Sequence, residues 1–137
     1  MPRAVVVRIE VPRGSFVKRE AGRGIEYVSP LPCPFNYGFV PGTVGDDGDP
    51  PDAIVLGARI AQGTEVATMA WQRVRFVDDG SVDDKLICGV IPPDATQLAR
   101  IRLFFRVYAV ARSALNLAAG RGRARFLGIA ALTGETR

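Results

Sequence analysis

A small β-barrel with helical cover is the fold class that the sequence predicts, mainly β with one long helix towards the C-terminal end. Three observations predict it. Short β-branched or alternating stretches recur through residues 4–91, glycine, proline and aspartate clusters separate them, and one late stretch carries apolar residues at helical spacing instead. With 137 residues, 47% of them hydrophobic, the chain is read as one domain over 1–137: barrel at 4–91, helix at 94–119 and a basic tail at 120–137.

"AVVVRIEV" (Ala4 to Val11) is rich in β-branched residues and reads as a strand, with Pro12-Arg13-Gly14-Ser15 as the turn after it. "SFVKRE" is a second strand, on which Lys18 and Glu20 share a face because side chains repeat every two residues. "GIEYVS" is a short third. Pro30, Pro32, Pro34 and Pro41, interleaved with Gly38, Gly42 and Gly45, then exclude a helix. That run reads as an ordered loop, whose Phe35, Tyr37 and Phe39 pack against the body. "AIVLGAR", "TEVATMAW", "QRVRFVD" and "KLICGVI" are four further strands. Pro92-Pro93-Asp94 opens the helix with Asp94 as its N-cap, and Leu98, Ile101, Phe105, Tyr108 and Leu115 follow at helical spacing up to Gly120. At 1.5 Å per residue such a helix is about 35 Å long.

Composition narrows the function classes. No apolar run approaches the length of a membrane span and no secretory leader pattern opens the chain, so a cytoplasmic protein without a membrane segment is expected. Cys33 and Cys88 are too few for a disulfide framework, and with no histidine they cannot complete a Cys₂His₂ zinc site; both read as structural. The net charge of +4 is unevenly spread. Eight of the fourteen acids fall in two windows, Asp46 to Asp52 and Asp78 to Asp84, whereas beyond Asp94 eight arginines face Glu135 alone. A basic stretch of that kind suits nucleic acid or an acidic partner, or is simply a solvated helix face and tail.

Carboxylates packed as tightly as those in "GDDGDPPD" repel one another, and a bound cation or strong hydrogen bonds must offset that cost where they converge. Hard divalent cations take oxygen ligands, and Mg²⁺ combines a few carboxylates with water and substrate phosphates. An exposed turn is the alternative, since Asp, Gly and Pro are turn formers. Two features favour a metal seat. Each window abuts predicted strands, so both can meet at one barrel mouth. Lysine, used only twice against sixteen arginines, stands both times beside acids: Lys18 with Glu20, and Lys85 with Asp83. An EF-hand starting at Asp47 fails, because its twelfth position is Ala58 rather than Glu.

"DGDPPD" before an apolar strand resembles the Asp-x-Asp-Pro-x-Asp signature of the soluble family I inorganic pyrophosphatases. "IEVPRGSFVKRE", "PFNYGFVPGT", "VDDGSVDDKL" and "FFRVY" fit the same family in the same order, over about Val6 to Tyr108. The resemblance implies a five-stranded OB-like barrel with helices and Mg²⁺-dependent hydrolysis of pyrophosphate, with Mn²⁺ or another divalent cation as alternatives. It implies Asp47, Asp52 and Asp83 as ligands of the metal pair that activates water, Asp78 beside Asp83 on a substrate-bound metal, and Glu10 near another metal. Asp49 is implied as general base, Lys18, Tyr37 and Tyr108 as phosphate contacts, and Glu20 and Lys85 as supporting residues. Bacterial relatives commonly form hexamers, so a homo-oligomer is implied as well.

The chain departs from the family pattern at two cations. An arginine expected after the lysine–glutamate pair has no equivalent in "GIEYVSPLPCP", which offers Glu26 and Tyr27, and the lysine after the helix tyrosine is Ala109. A lost charge contact of this type costs about 10² to 10³ in rate when nothing replaces it. Arg112, Arg23, Arg121 and Arg123 are the candidate replacements. Two competing readings follow: a hydrolase of another phosphoanhydride, and a non-catalytic OB-like module that binds nucleic acid or protein. The second is disfavoured, because no alternating basic and aromatic stripe marks the strands.

Overall fold

The computed structural model describes residues 2–15, 17–20, 24–28, 33–42 and 50–132, by backbone alone at 17–20 and 24–28. In chain order the elements are β1 (Arg3–Val11), β2 (Val17–Glu20), β3 (Gly24–Val28), β4 (Asn36–Phe39), β5 (Asp52–Val55), β6 (Glu65–Asp78), β7 (Ser81–Val82), β8 (Lys85–Gly89), α1 (Ala95–Ala118) and β9 (Ala124–Ala131).

Five strands pair in a closed ring. β1 lies antiparallel to β4, β4 antiparallel to β5, β5 parallel to β8, β8 antiparallel to β6, and β6 antiparallel to β1 again. The length of β6 makes closure possible. Its 14 residues serve β1 from Glu65 to Ala70 and β8 from Met69 to Val74, while its last part takes β7 and β9. Register shifts at Ala70/Gln72 and Arg75/Phe76 bend so long a strand around the ring, as bulges do. Closure leaves no free edge within the ring, the solution small β proteins use against edge pairing. The expected OB-like barrel is therefore the architecture, with β2 and β3 forming a separate two-stranded sheet.

Alternation along the strands gives the ring an apolar cluster on each face. Val7, Ile9, Ala53, Val55, Ala70, Leu86 and Cys88 share one; Val11, Ile54, Val74, Phe76 and Ile87 share the other, onto which α1 lays Ile101, Phe105 and Ala109. Phe35 completes that second cluster, 5.2 Å and 6.1 Å from the rings of Phe104 and Phe105. The aromatic loop thus packs on the body as its composition implied. α1 starts where expected: the Asp94 carboxylate accepts from Gln97 N at 2.8 Å and the Gln97 side chain accepts from Asp94 N at 3.0 Å, a capping box worth about 1 kcal/mol.

Three expectations need correction. "NYGF", read as loop, is β4: the flanking prolines and glycines hide a strand that passes close over β1, where a Cβ on Gly38 would overlap the Arg8 carbonyl. "TEVATMAW" and "QRVRFVD" are one continuous strand, because the bulge lets pairing run on. Part of the predicted tail is β9, which pairs with β6 from Gln72 to Asp78 and places Gly128 (φ 122°) beside a register shift. Ser113 of α1 ties its start down, donating to the Ala124 carbonyl at 3.0 Å and accepting from Ala124 N at 2.9 Å.

Candidate active site

Both acidic windows lead into neighbouring strands. Asp52 opens β5 and Lys85 opens β8, and because these strands are parallel the two residues stand side by side in register. The Lys85 ammonium is nearly fully buried at 3% exposure and lies 2.8 Å from Asp83 Oδ2 and 3.3 Å from Asp52 Oδ2. The Tyr37 hydroxyl donates to the same Asp52 oxygen at 2.7 Å. Lys85 Nζ also sits 5.5 Å from the centre of the Phe76 ring and 6.0 Å from that of Tyr37, whose π faces help to hold a desolvated cation. One ammonium thus gathers two carboxylates that are 31 positions apart in the chain.

The electrostatics follow from burial and crowding. Burial raises the Asp83 carboxyl above the ordinary aspartate value, Lys85 pulls against that, and the charges of Asp52 and Asp78 add to the rise. The Tyr37 hydroxyl is held well above 10 by burial, then by Asp52 and Asp83, so it remains a donor at neutral pH. Cys33 and Cys88 are buried free thiols, pushed up to about 11 and about 12 by desolvation, which fits the structural role expected of both.

Asp78, at the end of β6, joins the same group from α1's side. Its Oδ2 accepts from Arg112 Nε at 3.3 Å and its Oδ1 from Asn116 Nδ2 at 2.6 Å. Tyr108, one turn before Arg112, stacks on Phe104 at 5.7 Å and lies 5.8 Å from Phe76. Tyr37 and Tyr108 both pack against the apolar cluster that α1 covers. The other two acids of the second window serve the fold. Asp79 (φ 51°) and Gly80 (φ 81°) make the two-residue turn between β6 and β7, with Asp79 Oδ1 accepting from Gly122 N at 2.6 Å. Asp84 pairs with Arg73 at 3.0 Å and accepts from Phe76 N at 2.9 Å.

Of the residues singled out in the sequence, Tyr37, Asp52, Asp83 and Lys85 are in direct contact, with Asp78 and Tyr108 beside them. Glu10 stands on β1 at its register shift opposite Gly38 and Tyr37. Lys18 and Glu20 are placed on β2, but their side chains lie outside the described residues, and so do Asp47 and Asp49. Among the described residues, no three acids, cysteines or histidines gather closely enough to hold a metal by themselves. Asn116 escaped the sequence reading. Its signal was an amide four residues after Arg112 on the helix face that also carries Ile101 and Phe105, buried to 3%.

Comparison with known proteins places this arrangement. The family model described as inorganic pyrophosphatase matches residues 7–122. An inorganic pyrophosphatase of Gluconobacter oxydans is 36% identical over 102 residues, covering 69% of this chain and 58% of that protein. The chain spans a little over half the length of the first curated relatives it matches. In three dimensions it is similar to the inorganic pyrophosphatase of Helicobacter pylori, with a TM-score of 0.76 at 25% identity over 93% of this chain and 84% of that one. It is equally similar to that of Thermus thermophilus, with a TM-score of 0.76 at 26% identity over 93% and 82%. On the matched span, the shared fold and the assembled acid–lysine–tyrosine group, the chain belongs to the inorganic pyrophosphatase family.

Proposed function

We propose that this protein hydrolyses inorganic pyrophosphate to two phosphates at the site around Lys85, with Mg²⁺ as the working cation and Mn²⁺ as the next best fit. The observation that carries the proposal is the sharing of one buried ammonium by Asp52 and Asp83 at the parallel β5–β8 junction, directly downstream of "GDDGDPP". Asp52, Asp78 and Asp83 supply oxygen donors only, the chemistry hard divalent cations require, and burial plus mutual repulsion at Asp83 means that an added cation there is favoured. Asp47, and Glu10 at the β1 register shift, complete the proposed donor set. When bound, such cations lower the pKa of a water molecule and offset the charge of the phosphates.

The remaining work falls to the chain's own groups. Lys85 fixes Asp52 and Asp83 relative to each other, and Tyr37 orients Asp52 through its hydroxyl. Lys18 and Tyr108 are assigned to the phosphate oxygens, as is Tyr37 once its one hydroxyl proton turns from Asp52 to bound substrate; Glu20 is assigned to positioning, and Asp49, three residues before Asp52, to accepting the proton of the attacking water. Phosphoryl transfer depends on positioning and charge neutralisation more than on covalent help, which suits a site built from fixed charges.

The proposed setting is cytoplasmic, in a single-domain chain; among the described residues no helix is long and apolar enough to cross a membrane. A homo-oligomer, hexameric by family resemblance, is proposed on the solvent side of α1. Leu103, Val107, Val110 and Leu117 recur there at coiled-coil spacing and stand exposed, the pattern of a helix awaiting a partner.

Phosphate release from pyrophosphate in the presence of Mg²⁺ tests the assignment, with ATP and polyphosphate as competing substrates. Turnover on pyrophosphate is expected to exceed that on the others, and Asp49→Asn to lower it about 10²- to 10⁴-fold. A folded, Mg²⁺-supplied protein that leaves pyrophosphate intact contradicts the proposal.

A further inference from the structure

Arg112 is an unusual neighbour for a carboxylate assigned to a divalent cation. α1 carries no acid between Ala95 and Ala118, yet it turns one of its arginines inwards, on the face of Ile101, Phe105, Tyr108 and Asn116, where Nε reaches Asp78 Oδ2 at 3.3 Å. Both side chains remain about one fifth exposed, so the guanidinium can move without crossing the core. The second carboxylate oxygen is held independently by the buried amide of Asn116 at 2.6 Å. Asp78 would therefore keep its place if Arg112 left.

We propose that Arg112 is an exchangeable counter-ion: it neutralises Asp78 while no divalent cation is there, and turns to the phosphate oxygens of the substrate when one is. The charges motivate the exchange. Lys85 pairs with both Asp52 and Asp83, and Arg112 with Asp78. A divalent cation arriving at Asp78 repels a guanidinium in contact with the same oxygen, and a pyrophosphate arriving with it brings more negative charge than Asp78 gives up. A planar guanidinium then gains a bidentate partner in a phosphate group. Two consequences follow: Arg112 weakens cation binding in the substrate-free protein and strengthens binding of the anion.

This inference rests on the pyrophosphatase reading, and the test separates the two. Binding of Mn²⁺ alone, and of methylenediphosphonate in saturating Mn²⁺, is measured calorimetrically for the full chain and for Arg112→Gln and Arg112→Lys. Arg112→Gln is expected to bind Mn²⁺ about tenfold more tightly and the diphosphonate about tenfold more weakly, with Arg112→Lys recovering part of the second effect. Unchanged Mn²⁺ affinity, or unchanged diphosphonate affinity, in Arg112→Gln overturns the exchange while leaving pyrophosphate hydrolysis by the unaltered protein intact. Should Arg112→Gln fail to fold, Arg112→Lys decides: it keeps the charge but not the fork, so diphosphonate affinity equal to that of the unaltered protein overturns the proposal. Absence of hydrolysis by the unaltered protein is the separate result that removes the underlying reading.

Discussion

Lys85 and Asp83 carry the electrostatic logic of the site. A buried ammonium is tolerated only when paired, and Lys85 has two carboxylates and two aromatic faces around it. Asp83 remains in tension, since burial raises its pKa from the ordinary 3.8 despite the lysine. A carboxyl whose pKa is higher folded than unfolded holds more protons in the folded state between the two values, so its contribution to stability is lost as pH rises through that interval. Metal-free thermal melts of the protein and of Asp83→Asn check this. The stability of the unaltered protein relative to the variant should fall as pH rises from about 3.8 through the raised Asp83 pKa and level off beyond it; a difference that grows with pH contradicts it. The Lys85–Asp83 association was legible because lysine is so rare here. The division of labour within "VDDGSVDD" was not, since only the turn geometry decides that Asp78 and Asp83 face the site while Asp79 and Asp84 bond the backbone.

Elements read correctly were those whose own residues specify them. The cap and apolar spacing defined α1 to within a residue at each end, a β-branched run defined β1, and short apolar runs defined β5 and β8. β4 and β9 depend on partners instead. β9 owes its existence to the edge of β6 that β1 leaves open beyond Ala70, and β4 to close contact with β1. Gly38 records that contact. Gly38→Ala is expected to destabilise the protein by about 2 kcal/mol or more, because a Cβ there meets backbone rather than a movable side chain. Urea unfolding measures the loss, and an unchanged midpoint would mean that β4 and β1 can separate at no cost.

For the molecule as a whole, ring closure unites what the chain keeps apart. Asp52 and Asp83, one acid from each window, meet at Lys85 because Asp52 opens β5 and Lys85 opens β8, its parallel neighbour in register. Motif spacing suggested that the windows belong together, and the family resemblance supplied the chemistry that is proposed for them. Parallel pairing of β5 with β8 is a long-range outcome that no local pattern encodes. The most direct test of this convergence is anomalous diffraction from crystals grown with Mn²⁺. A peak at coordination distance from the carboxylates of both Asp52 and Asp83 is the predicted result; well-ordered Asp52 and Asp83 side chains with no Mn²⁺ between them, or Mn²⁺ bound only elsewhere, would contradict the account.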